Sequence, residues 1–192
     1  MLRRRVLQAA LAVLTALLPV AGIQAATAAP ASAEMSAAVR TIYYDASRAG
    51  VFATNFAQAA QIWNSRVSNI RLQAGTPASV VIYVDTGWPR AQTTSLGAGR
   101  IWMGWQAVNQ GYDRTRIATH EWGHILGLPD RRTGLCSDLM SGSSAPVSCT
   151  NAQPSTAEAN RVQQLFAGSL TAPALVGAGS SGQGVTWTWH GN

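Results

Sequence analysis

Lysine is absent from this sequence: all 14 basic side chains among its 192 residues are arginines. Three of them, Arg3, Arg4 and Arg5, stand together at the N-terminus and carry half of the formal charge of +6. The remainder is only mildly basic, which argues against a nucleic-acid partner. A membrane-spanning run is also missing. The apolar stretch over residues 6–23 is broken by Gln8, Thr15 and Pro19, whereas a bilayer-crossing helix needs roughly 20 continuous apolar residues. No internal repeat is visible, so a repeat architecture is excluded. Cysteine is nearly absent too, with only Cys136 and Cys149.

What is present at the N-terminus is a basic start, an apolar stretch and then the small-residue string 25–29. That order is the pattern of a secretory signal, expected here over residues 1–28 with cleavage near Ala28 or Ala33. The three arginines also loosely fit a twin-arginine signal, which leaves the export route open. An Ala-rich connector over 29–38 fits a short propeptide. Export places Cys136 and Cys149 in an oxidising environment, where a disulfide is favoured over free buried thiols or metal ligands. The expected product is a secreted monomer without a stable membrane anchor, and its length suits one substantial core.

From residue 39 the pattern changes. Residues 39–44 are rich in β-formers and suggest a first strand. Between 51 and 64, Phe52, Phe56, Ala59, Ile62 and Trp63 fall on one face of a helix. Further strands are expected at 70–73, 79–84 and 100–103, with a weaker one at 91–96. Asp113 can cap a helix that stops at Gly127, with Pro129 confirming the stop. Ser155 and Glu158 form a capping-box pattern that opens a helix ending at Gly168. This order predicts an α+β layered domain over 39–168. The Gly- and Ser-rich remainder, 169–192, reads as a flexible extension. Its Trp187 and Trp189 alternate with threonines and suit an appended strand or a small binding edge. Trp63, Trp88, Trp102 and Trp105 read as core or groove lining.

The chemistry is concentrated in His120-Glu121-Trp122-Gly123-His124. Two side chains four residues apart on a helix share a face, about 6 Å apart along the axis. Two imidazoles there can hold one metal ion, and zinc suits them. Glu121 is rotated by roughly 100° from His120, which places it beside the metal as a general base rather than among its ligands. Gly127 lets the chain leave the helix sharply, so that Asp130 can return as the third ligand and leave a fourth position open. His190, the third histidine, is not expected to be a ligand.

With Gly127, Asp130 and the later Asp138-Leu-Met140-Ser141-Gly142, the pattern resembles the zinc helix and Met-turn of the metzincins. Most metzincins have histidine where this chain has Asp130. That departure, together with cysteines bracketing the Met-turn, is similar to the snapalysins, the small neutral proteases of Streptomyces. Ala60-Gln-Ile-Trp63-Asn64, Leu126-Gly-Leu-Pro-Asp130 and Ser148-Cys-Thr-Asn151 extend the similarity. The resemblance implies a single metzincin-like domain with a small, twisted, mostly parallel sheet and packed helices. It also implies zinc endopeptidase action on proteins or peptides, with preference for an aromatic residue after the scissile bond. Met140 would pack beneath the metal without binding it. The resemblance further implies a calcium ion on Asp113 and Thr115, although Asp113 by itself reads only as a helix cap. Two other readings fit the motif: a zinc amidase acting on cell-wall peptides, or an inactive zinc-binding module.

Overall fold

Alternation of apolar side chains organises the sheet. In the first strand, β1 (Arg40–Arg48), Ile42 and Tyr44 turn inward while their neighbours face out, as a period of two requires. A computed structural model describes residues 38–168 and 184–189. The expected leader over 1–28, nearly all of the connector and His190 lie outside the described residues.

After β1 the chain forms α1 (Ala53–Arg66), whose buried face carries Phe56, Ala59, Ala60 and Trp63. Then follow β2 (Ile70–Ala74), β3 (Val80–Asp85), β4 (Arg90–Ser95), β5 (Ala98–Gly104) and the short α2 (Trp105–Asn109). The motif helix is α3 (Arg114–Ile125), and a 3-10 segment (Leu139–Ser144) precedes α4 (Thr156–Gly168). A last strand, β6 (Val185–Thr188), completes the element order.

The strands lie in one sheet in the order β2-β1-β3-β5-β4-β6. β1 is parallel to both β2 and β3, and β3 to β5, whereas β4 runs antiparallel to its neighbours β5 and β6. The sheet is therefore mostly parallel and the class α+β. α1 and α3 pack on each other, and α3 also touches β4 and β5. Their shared core includes Phe52, Phe56, Trp63, Ile82, Ile101, Ile117 and Trp122, all without exposed surface. No helix among the described residues is long and apolar enough to cross a membrane.

Most expected elements appear within a few residues of their sequence positions. The weak strand at 91–96 is β4, and it is weak in sequence because its polar residues face outward beside the single buried Ala91. The helix α2 was not expected. The flexible-extension reading is corrected for 184–189: Val185–Thr188 form a strand on β4, and Trp189 is fully buried. Strand pairing with a distant edge leaves little trace in four residues of local sequence.

Candidate metal centre

Helix α3 begins where Asp113 accepts a hydrogen bond from the Arg116 N–H at 2.7 Å, a helix N-cap. It ends in a Schellman turn: Gly127 N–H donates to the His124 carbonyl and Leu128 N–H to the Gly123 carbonyl, both at 2.9 Å. Gly127 sits at φ +91°, where a side chain would strain the backbone. The turn redirects the chain so that Asp130 comes back beside the two histidines.

Each imidazole is fixed from behind. His120 Nδ1 is 3.0 Å from the Leu139 carbonyl and His124 Nδ1 is 2.8 Å from the Leu128 carbonyl. A carbonyl only accepts, so both Nδ1 atoms carry the proton and, in the neutral ring, both Nε2 lone pairs are left bare. Those Nε2 atoms face each other at 3.1 Å. Burial first, and the neighbouring His120 second, push the His124 imidazole down to about 3, so it stays neutral at physiological pH. Asp130 Oδ1 lies 3.2 Å from His120 Nε2 and 3.7 Å from His124 Nε2. Its other oxygen is held by Arg132 at 2.9 Å. Burial alone would raise the Asp130 carboxyl, but its contacts with the histidines and Arg132 outweigh that and hold it below its ordinary value.

Two bare lone pairs and a carboxylate oxygen converging on one point repel one another unless a cation lies between them. Among the described residues, His120, His124 and Asp130 form the one cluster of three potential metal donors. Glu121 adjoins it, fully buried, with neither carboxylate oxygen hydrogen-bonded. Burial, and then the negative charge of Asp130, push its carboxyl well above the usual glutamate value.

The segment that resembles a Met-turn, Asp138 to Gly142, packs against α3 beside this cluster. A side chain added at Gly123 would meet Met140 Sδ at 2.5 Å, so glycine inside the motif is what lets Met140 approach α3. The Cys136–Cys149 disulfide brackets the turn. Asp113 and Thr115 lie at the other end of α3. Thr115 Oγ1 bonds Asn55 and Gln58, while Asp113 is engaged as the helix cap.

Three contributors were missed in the sequence. Glu158, legible only as part of a capping box, also accepts the N–H groups of Met140 at 2.7 Å and Leu139 at 3.2 Å. Arg116 is buried and ties together the carbonyls of Cys136, Asn151 and Asp138. Arg132 orients Asp130. For Glu158, the available signal was its place four residues before Val162 and eight before Phe166, on the helix face that carries the apolar side chains.

Residues 38–169 match the family model described as Streptomyces extracellular neutral proteinase (M7) family. Curated relatives bear the name extracellular small neutral protease. The protein from Streptomyces sp. (strain C5) is 49% identical over 140 residues, covering 71% of this chain and 61% of that protein. The Streptomyces coelicolor protein is 46% identical over 151 residues, 77% of this chain and 69% of its own length. The Streptomyces caespitosus protein is 47% identical over 129 residues, 66% of this chain and 97% of its own length.

Proposed function

Because the chain belongs to the Streptomyces extracellular neutral proteinase (M7) family, we propose that it is a secreted zinc endopeptidase in which His120, His124 and Asp130 hold the ion and Glu121 is the general base. The observation that carries this reading is the convergence of two imidazole Nε2 atoms and the unpaired Asp130 Oδ1 beside an unpartnered, buried carboxylate. Zinc fits the donor set. Ligand bonds of about 2.0–2.2 Å in a tetrahedron require donor separations of about 3.3 Å, and the three separations are 3.1, 3.2 and 3.7 Å.

The chemistry that zinc supplies when bound is Lewis acidity, which polarises the scissile carbonyl and makes water acidic near neutral pH. The protein supplies the rest. The Leu139 and Leu128 carbonyls lock the tautomer and direction of each imidazole, and Arg132 does the same for Asp130. Glu121, buried directly beside the cluster with both oxygens unpaired, takes the proton from the attacking water and passes it to the leaving amine.

A peptide substrate would pair with β4 through main-chain hydrogen bonds on the side that β6 occupies. The aromatic preference is supported by the burial of Trp189 between His120 and Tyr112, at ring-centroid distances of 4.6 and 5.7 Å. A structural calcium ion at Asp113 and Thr115 stands on the resemblance alone. Cleavage of casein but not of peptidoglycan separates the peptidase from a cell-wall amidase.

Glu121→Ala tests the mechanism. The three ligands remain, so zinc stoichiometry should stay near one, while hydrolysis falls by about 10²- to 10⁴-fold. His120→Ala should lose both metal and activity. A Glu121→Ala protein that kept most of its rate would refute the assignment.

A further inference from the structure

The groove beside the metal cluster is filled by the chain's own C-terminal segment. β6 pairs antiparallel with β4, with Val185 opposite Thr93 and Thr188 opposite Arg90. The approach is so close at its start that a side chain added at Gly184 would fall 2.0 Å from the Thr93 carbonyl oxygen. At the far end Trp189 N–H donates to the Pro89 carbonyl at 2.8 Å, and Ser143 N–H donates to the Trp189 carbonyl at 3.4 Å. The Arg132 guanidinium donates to the Thr188 carbonyl at 2.7 Å and to that of Trp189. The segment is thus fastened to both walls, to β4 on one side and to the Met-turn and Arg132 on the other.

Its side chains cover the chemistry. Trp187 lies parallel to the His124 ring, with centroids 5.2 Å apart and planes at 7°. Trp189 meets His120 edge-on at 4.6 Å. Under this roof His120, Glu121 and His124 have no exposed surface.

The geometry points to residues 184–189 acting as an inhibitor in cis, holding the groove as an extended strand where a peptide substrate would have to lie. This rests on the peptidase reading above. The pairing edge of β4 can serve one strand at a time, so tail and substrate exclude each other. As part of the same chain, the segment acts at an effective concentration on the order of millimolar. With an intrinsic affinity of only about 0.1 mM, the segment would then occupy the groove about nine-tenths of the time. Activity then requires its displacement, by a competing peptide or by loss of the tail.

The test uses the full, zinc-loaded chain carrying Gly184→Val, which sets a side chain against the Thr93 backbone without touching the metal site. Trp187→Ala with Trp189→Ala is a second disruption. kcat/KM on a fluorogenic peptide should rise at least about tenfold, and amide exchange of residues 90–95 should quicken. A synthetic peptide of residues 184–189 added to Gly184→Val should inhibit competitively and restore the protection. Unchanged kcat/KM and unchanged exchange in both variants would overturn the proposal. If no form hydrolyses any substrate, the peptidase reading fails separately. Exchange and peptide rebinding then still decide the occupancy: quickened exchange with rebinding supports it, and unaltered exchange overturns it.

Discussion

Replacement of Glu158 by alanine should loosen the cluster of His120, His124 and Asp130 without touching any of those three side chains. The carboxylate accepts the buried N–H groups of Leu139 and Met140 and, at its own helix start, the N–H and hydroxyl of Ser155 at 2.7 and 2.8 Å. The Leu139 carbonyl in turn holds His120 Nδ1 at 3.0 Å. Alanine would orphan two backbone donors of the Met-turn, at about 1–3 kcal/mol each. Relief from burying a carboxylate, whose proton affinity is raised by burial first and by Asp138 second, offsets part of this. The net loss should be about 3 kcal/mol, a fall in Tm of roughly 10 °C. Zinc affinity should drop about 10- to 100-fold, as when a group supporting a ligand is lost. Glu158→Gln keeps one acceptor oxygen and should fall between wild type and alanine. Thermal unfolding of the metal-free protein, with zinc affinity from chelator competition, checks both arms. A Tm within about 2 °C of wild type together with unchanged zinc affinity would refute the support chain from Glu158 through Leu139 to His120.

Joint replacement of Cys136 and Cys149 by serine opens a bridge of sequence separation 13 and should cost about 3 kcal/mol, read as a lower urea midpoint than wild type under non-reducing conditions and no difference with reductant. Gly123→Ala should destabilise by about 1–3 kcal/mol, because the new methyl group meets Met140 Sδ at 2.5 Å; an unchanged Tm would mean that the Met-turn moves aside freely. For Asp85, burial raises the carboxyl, but the 2.6 Å contact with Arg90 and the Gly87 N–H outweigh it and hold it below its ordinary value. Its contribution is therefore present above the usual aspartate value near pH 4 and disappears as pH falls through the lowered one. Asp85→Asn should lower Tm at pH 7 by roughly 3 °C or less, since both partners are about a third exposed, and the difference from wild type should shrink as pH falls through the lowered value.

Local chemistry made much of the protein legible. Helix caps, the turn glycine after the motif and strand alternation each depend on a few neighbouring residues, so α1, α3, α4 and most strands could be read directly. The cluster of His120, His124 and Asp130 was legible for the same reason. Two histidines one helical turn apart, and an aspartate three residues past a turn glycine, are placed by chain geometry over 11 residues. Partners from distant parts of the chain were not legible. Glu158 reaches a turn 18 residues before it, Arg132 meets Thr188 across 56, and β6 finds β4 across 92. Such pairings are decided by which surfaces and edges the packed core leaves free. Neighbours in the chain thus place His120, Glu121, His124 and Asp130 together. What braces them, and that the chain's own tryptophans lie across them, follows from packing between distant segments.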